Sequence, residues 1–303
     1  MAQTGELAAL ITALFYSISS TFFTFATRNF TSIVMNRTRL LMAACLILII
    51  HSLLFGSALP LNAGPSRWFW LGTSGIIGLV LGDLFLYQAY RAIGARMGML
   101  LLSLAPVIAA LVAWLFLGET LGTIEILGII ITLSGIFWVV MDANGTRKNG
   151  VNHVESKTYH RGLLFGLGAA TGQALGLVLS KKGLYGGFSP ISANVIRIVI
   201  AAVTLWIVTF FQGQAKPTFE QLSSQPRSIW LIAAGMVAGP IVGVSFSLYA
   251  VQNANVGVAS TLIALPPVFL LPISYFIFKE HFGWPAIAGT FLAMVGVAIL
   301  FIK

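Results

Sequence analysis

Asp83, Tyr87 and Tyr90 stand four and three residues apart in the run Gly82-Asp-Leu-Phe-Leu-Tyr-Gln-Ala-Tyr90, so on a helix they share one face. A carboxyl beside two phenols on one helical stripe is equipped to bind a polar ligand, and the carboxyl can also load and release a proton. At an offset of 162 the chain repeats the spacing with Ser245, Tyr249 and Gln252. Two such stripes facing each other would wall a substrate site; the bland alternative is that the tyrosines are packed or interfacial aromatics with a satisfied hydroxyl. Arg39 and Arg197 are a second equivalent pair, and they are candidates for an anion contact. So near a helix end, however, an arginine also reaches water along its own stem. Pro106 and the Pro266-Pro267 pair lie within apolar runs, where each removes a backbone donor, and they are hinge candidates or static kinks.

Hydrolytic chemistry fits these residues poorly. Gly72-Thr73-Ser74-Gly75 spells the G-x-S-G found around intramembrane serine nucleophiles, but a serine needs a base within hydrogen-bond reach. No histidine falls deep in an apolar run, and His51 is near the end of one. Asp83 has no second aspartate at comparable depth with which to form a dyad. We therefore expect no catalytic residue, no metal site and no cofactor, and a protein that is not an enzyme.

The elements that must position these side chains follow from composition. Only 8% of the residues are charged and 58% are hydrophobic, against about 25% charged in a soluble domain, and the mean hydropathy is +0.94. The chain reads as an all-α integral membrane protein, multi-pass, in the plasma or inner membrane of the cell. Its net charge of +9 is carried by residues at the ends of apolar runs, where they meet lipid headgroups and orient the segments, so nucleic acid is excluded as a partner. The expected partners are a small-molecule substrate and the lipid bilayer; the sequence does not fix the oligomeric state, and a monomer suffices. The single cysteine, Cys45, excludes an internal disulfide. No basic residue precedes Arg28, so the first apolar run is expected to be a mature helix.

A helix that crosses the hydrocarbon core needs about 20 mostly apolar residues. Ten runs qualify, near 6–26, 36–59, 67–90, 97–117, 121–141, 162–181, 190–211, 228–251, 256–278 and 282–302, with a short basic turn at Arg91 to Arg96. They divide into a first five-helix repeat (1–141), a polar connector (142–160) and a second five-helix repeat (161–303). The repeats align: Trp70 falls on Trp230, Pro106 on Pro267, Glu119 on Glu280, Gly128 on Gly289, Gly135 on Gly296, Asn36 on Asn194 and Arg39 on Arg197, with offsets between 158 and 161. An odd number of helices per repeat forces the second half into the membrane from the opposite face. The expected architecture is thus ten transmembrane helices as two inverted repeats (5+5), with a site near the midplane between them. Gly168, Gly172 and Gly176 repeat every four residues and mark a face that another backbone can approach closely.

The run from Gly82 to Ala95, followed by Leu102-Ser-Leu-Ala-Pro106-Val, Phe116-Leu-Gly-Glu119-Thr-Leu and Leu127-Gly128-Ile-Ile-Ile-Thr-Leu-Ser-Gly135, resembles the EamA-like family of the drug/metabolite transporter superfamily. The second half matches through Asn253-Ala-Asn-Val-Gly-Val-Ala-Ser, Ala264-Leu-Pro-Pro-Val and Phe278-Lys-Glu280. The resemblance implies a ten-helix exporter of amino acids or other small metabolites, with a cavity lined mainly by the third, fourth, eighth and ninth helices. It also implies cytoplasmic termini, whereas the concentration of basic residues in the opposite loops places the termini outside. The aromatic and hydroxylic wall with one carboxylate suits a neutral or zwitterionic ligand, with proton coupling at Asp83. An importer or exchanger of an anionic metabolite held by Arg39 and Arg197 is the alternative; a channel, scramblase or intramembrane enzyme is more distant.

Overall fold

The computed structural model describes residues 2–26, 29–145, 156–273 and 284–301. Lys279, Glu280 and connector residues 146–155 lie outside them, as do the side chains of Thr24, Arg96 and Pro267. Every element among the described residues is helical. In chain order they are α1 (Ala2–Ala26), α2 (Ser32–Phe55), α3 (65–102), α4 (Ala105–Leu117), α5 (Thr123–Gly145), α6 (Ser156–Gly183), α7 (Pro190–Phe211), α8 (Ala215–Ser224), α9 (226–253), α10 (Val256–Ile263), α11 (Pro266–Ile273) and α12 (Trp284–Phe301). Six segments among the described residues are long and apolar enough to cross a membrane: Thr4–Phe23, Ser32–Phe55, Pro65–Ile93, Tyr159–Gly183, Pro190–Phe211 and Ser228–Asn253, with shorter apolar helices at Ala105–Leu117, Thr123–Trp138, Val256–Leu270 and Ile287–Ile299. The molecule is an all-helical, multi-pass membrane bundle.

Small residues set the spacing of its helices. A Cβ on Gly172 would stand 2.8 Å from the Cα of Gly82, and one on Gly176 would stand 3.2 Å from the Cα of Gly78. The glycine stripe of α6 therefore lies directly on the backbone of α3. The hydroxyl of Ser74, read from the sequence beside a nucleophile-like motif, is committed to this contact: it donates to the Gly176 carbonyl at 2.7 Å and meets Ser180 Oγ at 2.7 Å.

Equivalent helices pack on each other in opposite directions. His51, late in α2, meets Ser192, early in α7, at 2.9 Å, while the carbonyl of Arg37, early in α2, accepts from Trp206 Nε1, late in α7. Likewise Gly135 of α5 lies against Gly289 and Ala293 of α12, and Gly296 lies against Gly128 and Thr132. Cross-repeat pairs also come in matched sets: α3 packs on α6 as α9 packs on α1, and α4 contacts α6 as α10 and α11 contact α1.

Three local features differ from the sequence reading. Arg91 to Arg96 was expected to form a turn between helices, but helical geometry continues from Asp83 to Leu102 and the reversal is a bend inside it. A Cβ on Gly162 would touch Ala92 and Ile93, one on Gly166 would touch Leu101, and one on Gly98 would meet the ring of Tyr90. A straight helix rises about 12 Å over eight residues, so the chain has folded back between Ile93 and Gly98. Pro106 and Pro266 were expected in mid-helix, yet they occupy the first turns of α4 and α11, just after breaks at Ser103-Leu104 and Ala264-Leu265. A proline costs no intrahelical bond in a first turn. Finally, Ala215–Ser224 forms a short helix where a loop was read, fastened by Arg37 Nη1 donating to Thr218 Oγ1 at 3.1 Å.

Candidate substrate site

Both long central helices contain a π-helical stretch, Ile76–Gly82 in α3 and Val237–Gly243 in α9, at an offset of 161. Such stretches loosen the regular hydrogen-bond ladder and leave carbonyls in need of donors. An equivalent asparagine supplies one in each half. Asn36 Nδ2 donates to the carbonyls of Leu79 at 3.3 Å and Val80 at 3.5 Å; Asn194 Nδ2 donates to that of Pro240 at 2.8 Å and to Ser245 Oγ at 3.0 Å. Both asparagines are fully buried. Arg39 and Arg197 stand three residues further on, one turn along the helix in each repeat.

A cavity of about 170 Å³ lies where these elements meet. Its walls include Tyr16, Ser19, Ser20 and Phe23 of α1, Arg39 of α2, Asp83, Tyr87 and Tyr90 of α3, Gln173 of α6, Arg197 of α7, and Val244 and Ser247 of α9. The two helix breaks contribute Ser103, Pro106, Ala264 and Pro266. Arg39 Nη2 pairs with Asp83 Oδ2, and Nε and Nη2 both donate to Asn36 Oδ1 at 3.0 and 2.9 Å. The other oxygen of Asp83 accepts from Gln173 Nε2 at 2.8 Å. The guanidinium also stands 5.6 Å from the Tyr87 ring centroid and 5.8 Å from that of Phe23. This buried pair is therefore held on every side, whereas Arg91, eight residues beyond Asp83 on the same helix, is exposed.

The structure brings Asp83, Tyr87, Tyr90, Arg39, Arg197, Pro106 and Pro266 together at the cavity. It leaves Ser245, Tyr249 and Gln252 outside it. Ser245 accepts from Asn194, Tyr249 is 39% exposed, and Gln252 donates to the carbonyls of Leu184 and Phe188 at 3.2 and 2.8 Å. The cause is register. The π stretches align the halves at 161, so the true counterparts of Asp83, Tyr87 and Tyr90 are Val244, Leu248 and Val251, and a slip of one residue turns a helix by about 100°. The second wall expected from α9 is therefore reduced to Val244 and Ser247, and α1 adds the hydroxyls of Tyr16, Ser19 and Ser20. Tyr16, Ser19 and Ser247 escaped the sequence reading because nothing about an isolated hydroxyl in an apolar run marks which way it faces. Asn36 and Asn194 carried a usable signal, an Asn-x-x-Arg pattern written twice.

A polar cluster joins the two halves one helical turn beyond Leu177 and Ser260 of the cavity wall. Glu119, just beyond α4, pairs with Lys181 near the end of α6 at 2.5 Å and accepts from the backbone N–H of Val256 at 2.9 Å. Lys181 also donates to the Ala254 carbonyl at 2.7 Å, and Asn255 Nδ2 donates to Glu125 Oε1 at 3.2 Å. A carboxylate at the first N–H groups of α10 is favoured there by the helix dipole.

A multi-pass helical bundle with a cavity that both halves line, and into which buried charged side chains project, is the arrangement of a membrane transporter. The chain belongs to the EamA-like transporter family, whose model matches residues 3–141 and again 160–302. It is 22% identical over 265 residues to a chloroplastic WAT1-related protein of Arabidopsis thaliana, covering 86% of this chain and 60% of that one, so it spans about three fifths of that relative's length. A protein of known crystal structure matches at a TM-score of 0.70 and 16% identity, covering 99% of this chain and 97% of the other; at that identity the likeness concerns the fold alone.

Proposed function

We propose that the protein is a secondary transporter of the plasma or inner membrane that moves a small metabolite by alternating access, through ten transmembrane helices arranged as two inverted five-helix repeats. The antiparallel packing of α2 on α7 and of α5 on α12 supports the inverted repeat, because a two-fold axis that relates antiparallel helices lies in the membrane plane. The observation that carries the function is the cavity itself, built from both matched halves at once. Its volume of about 170 Å³ compares with an engineered cavity of about 150 Å³ that accepts benzene. That size favours a ligand no larger than an aromatic amino acid or organic acid over a nucleotide sugar. Export is the direction implied by the family resemblance. Asp83 is the group assigned to proton coupling: it is the acidic residue among the described cavity walls, and a carboxyl whose partner swings away can accept a proton. Pro106 and Pro266, beside breaks that open onto the cavity, serve as hinges.

The test is a metabolite profile of medium from cells with and without overexpression, followed by counterflow in reconstituted vesicles. The expected result is one or a few small metabolites enriched outside and a saturable exchange. Steady single-channel currents in a planar bilayer, with no saturable exchange, would overturn the reading.

A further inference from the structure

The two repeats place an arginine at the same station, but only the first supplies it with a carboxylate. Arg39 has Asp83; the residue equivalent to Asp83 in the second half is Val244, which faces the same cavity. Arg197 is 3% exposed, and neither its Nε nor its Nη1 has a hydrogen-bond partner among the described residues. Its terminal Nη2 lies across the π stretch of α3, 3.4 Å from where a Cβ on Gly78 would stand, so the glycine makes room for the guanidinium on its way to the cavity. The described ionised groups of the cavity are thus two guanidiniums and one carboxylate, a net single positive charge.

A buried charge without a partner is strongly disfavoured, and a guanidinium matches a carboxylate in geometry, two parallel N–H groups to two oxygens. An ammonium group entering the same space finds no free carboxylate, because Asp83 already accepts from Arg39 and Gln173. The remaining wall is mostly aromatic and aliphatic, with Tyr16, Phe23, Tyr87, Tyr90, Leu79 and Val244, and its other polar groups are neutral, chiefly serine hydroxyls that offer no charge to an ammonium group. We infer that Arg197 is the specificity-determining residue of this cavity and that its ligand is a small organic monoanion, a carboxylate with an apolar or aromatic body and no ammonium group. This rests on the transporter reading only for why a metabolite enters the cavity at all. It also departs from the neutral or zwitterionic ligand expected from sequence, since the carboxylate on which that expectation turned is already neutralised.

Three probes with a common ring separate the alternatives: phenylacetate, L-phenylalanine and phenethylamine, titrated into the purified full chain in nanodiscs with thermal unfolding and calorimetry as readouts. Phenylacetate is expected to raise Tm in a saturable way and to bind at least tenfold more tightly than L-phenylalanine, with phenethylamine without effect. Arg197→Met should weaken phenylacetate binding at least tenfold. Val244→Asp, which gives Arg197 the partner its counterpart has, should do the same while leaving the ligand-free Tm unchanged or higher, so a folding defect cannot mimic the result. Phenylacetate binding that survives both substitutions, tighter binding of phenethylamine or L-phenylalanine, or no response to phenylacetate would each overturn the inference. Phenylacetate bound by the unmodified chain and lost in both variants, with no saturable counterflow in vesicles, would uphold Arg197 as an anion site and overturn the transporter reading instead.

Discussion

Asp83 and Arg39 form a buried pair, with side chains 8% and 5% exposed, and removing one member of such a pair leaves the other uncompensated at a cost of about 3–5 kcal/mol. We therefore expect Asp83→Asn to lower the unfolding free energy in detergent by about that amount, and Asp83→Asn combined with Arg39→Gln to recover most of it. A double variant as unstable as the single one would show that the charge pair is not what Asp83 contributes. Stability and coupling separate on this same pair of variants. In vesicles under an imposed pH difference, the double variant should exchange substrate but fail to accumulate it, and gradient-driven accumulation by that variant would remove Asp83 from the coupling role. Asp83 itself was readable from sequence as a lone acid in an apolar run. Its partner was not, because Arg39 and Asp83 lie 44 residues apart and only the fold brings them together, whereas Arg91 shares the helix and is the nearer candidate on paper.

Among the elements, the contact of α3 with α6 depends on the absence of side chains. Placing a Cβ on Gly172, 2.8 Å from the Gly82 Cα, must push two backbones apart, and we expect Gly172→Ala to destabilise by about 1–3 kcal/mol. Gly122→Ala is the contrast: its Cβ would meet nothing nearer than the Glu125 carboxylate at 3.7 Å, and thermal unfolding should shift little. Equal shifts in the two variants would sink the close-packing account. The Glu119–Lys181 cluster works differently: it ties α4 and α6 to the start of α10, one turn from Ser260 of the cavity wall, and we expect it to hold this end closed. In a Cys45→Ala background, a Ser260→Cys probe should react several-fold faster with an impermeant thiol reagent once Lys181 is changed to Met. An unchanged rate would mean that the ion pair does not hold the closure. The glycine stripe was legible in the sequence from its spacing of four, and so was Glu119 as a repeated position. Lys181 was not, for it has no counterpart in the first half, and a lysine at a helix end reads by default as a headgroup contact.

For the molecule as a whole, the duplication and the hydropathy pattern were open to reading because they are properties of long stretches, in which a one-residue error does no harm. The facing of α9 was hidden for the opposite reason: the choice between Val244 and Ser245 as the equivalent of Asp83 turns on a single residue of register, which hydropathy does not record. One further difference between the halves concerns shape. Where the first repeat bends inside continuous helical geometry between Ile93 and Gly98, the second breaks outright at Ala254-Asn255, next to the Glu119–Lys181 pair. If the repeats are inverted copies, each half is a template for the other, and exchanging their shapes describes a second state in which the closed and open ends trade places. Spin labels at Thr123 and Tyr185, exposed positions flanking the Glu119–Lys181 pair, should then show a second, longer distance population in the Lys181→Met variant. A single distribution identical to that of the parent would mean that the asymmetry between the halves is permanent, and that bend and break are fixed shapes instead of two positions of one mechanism.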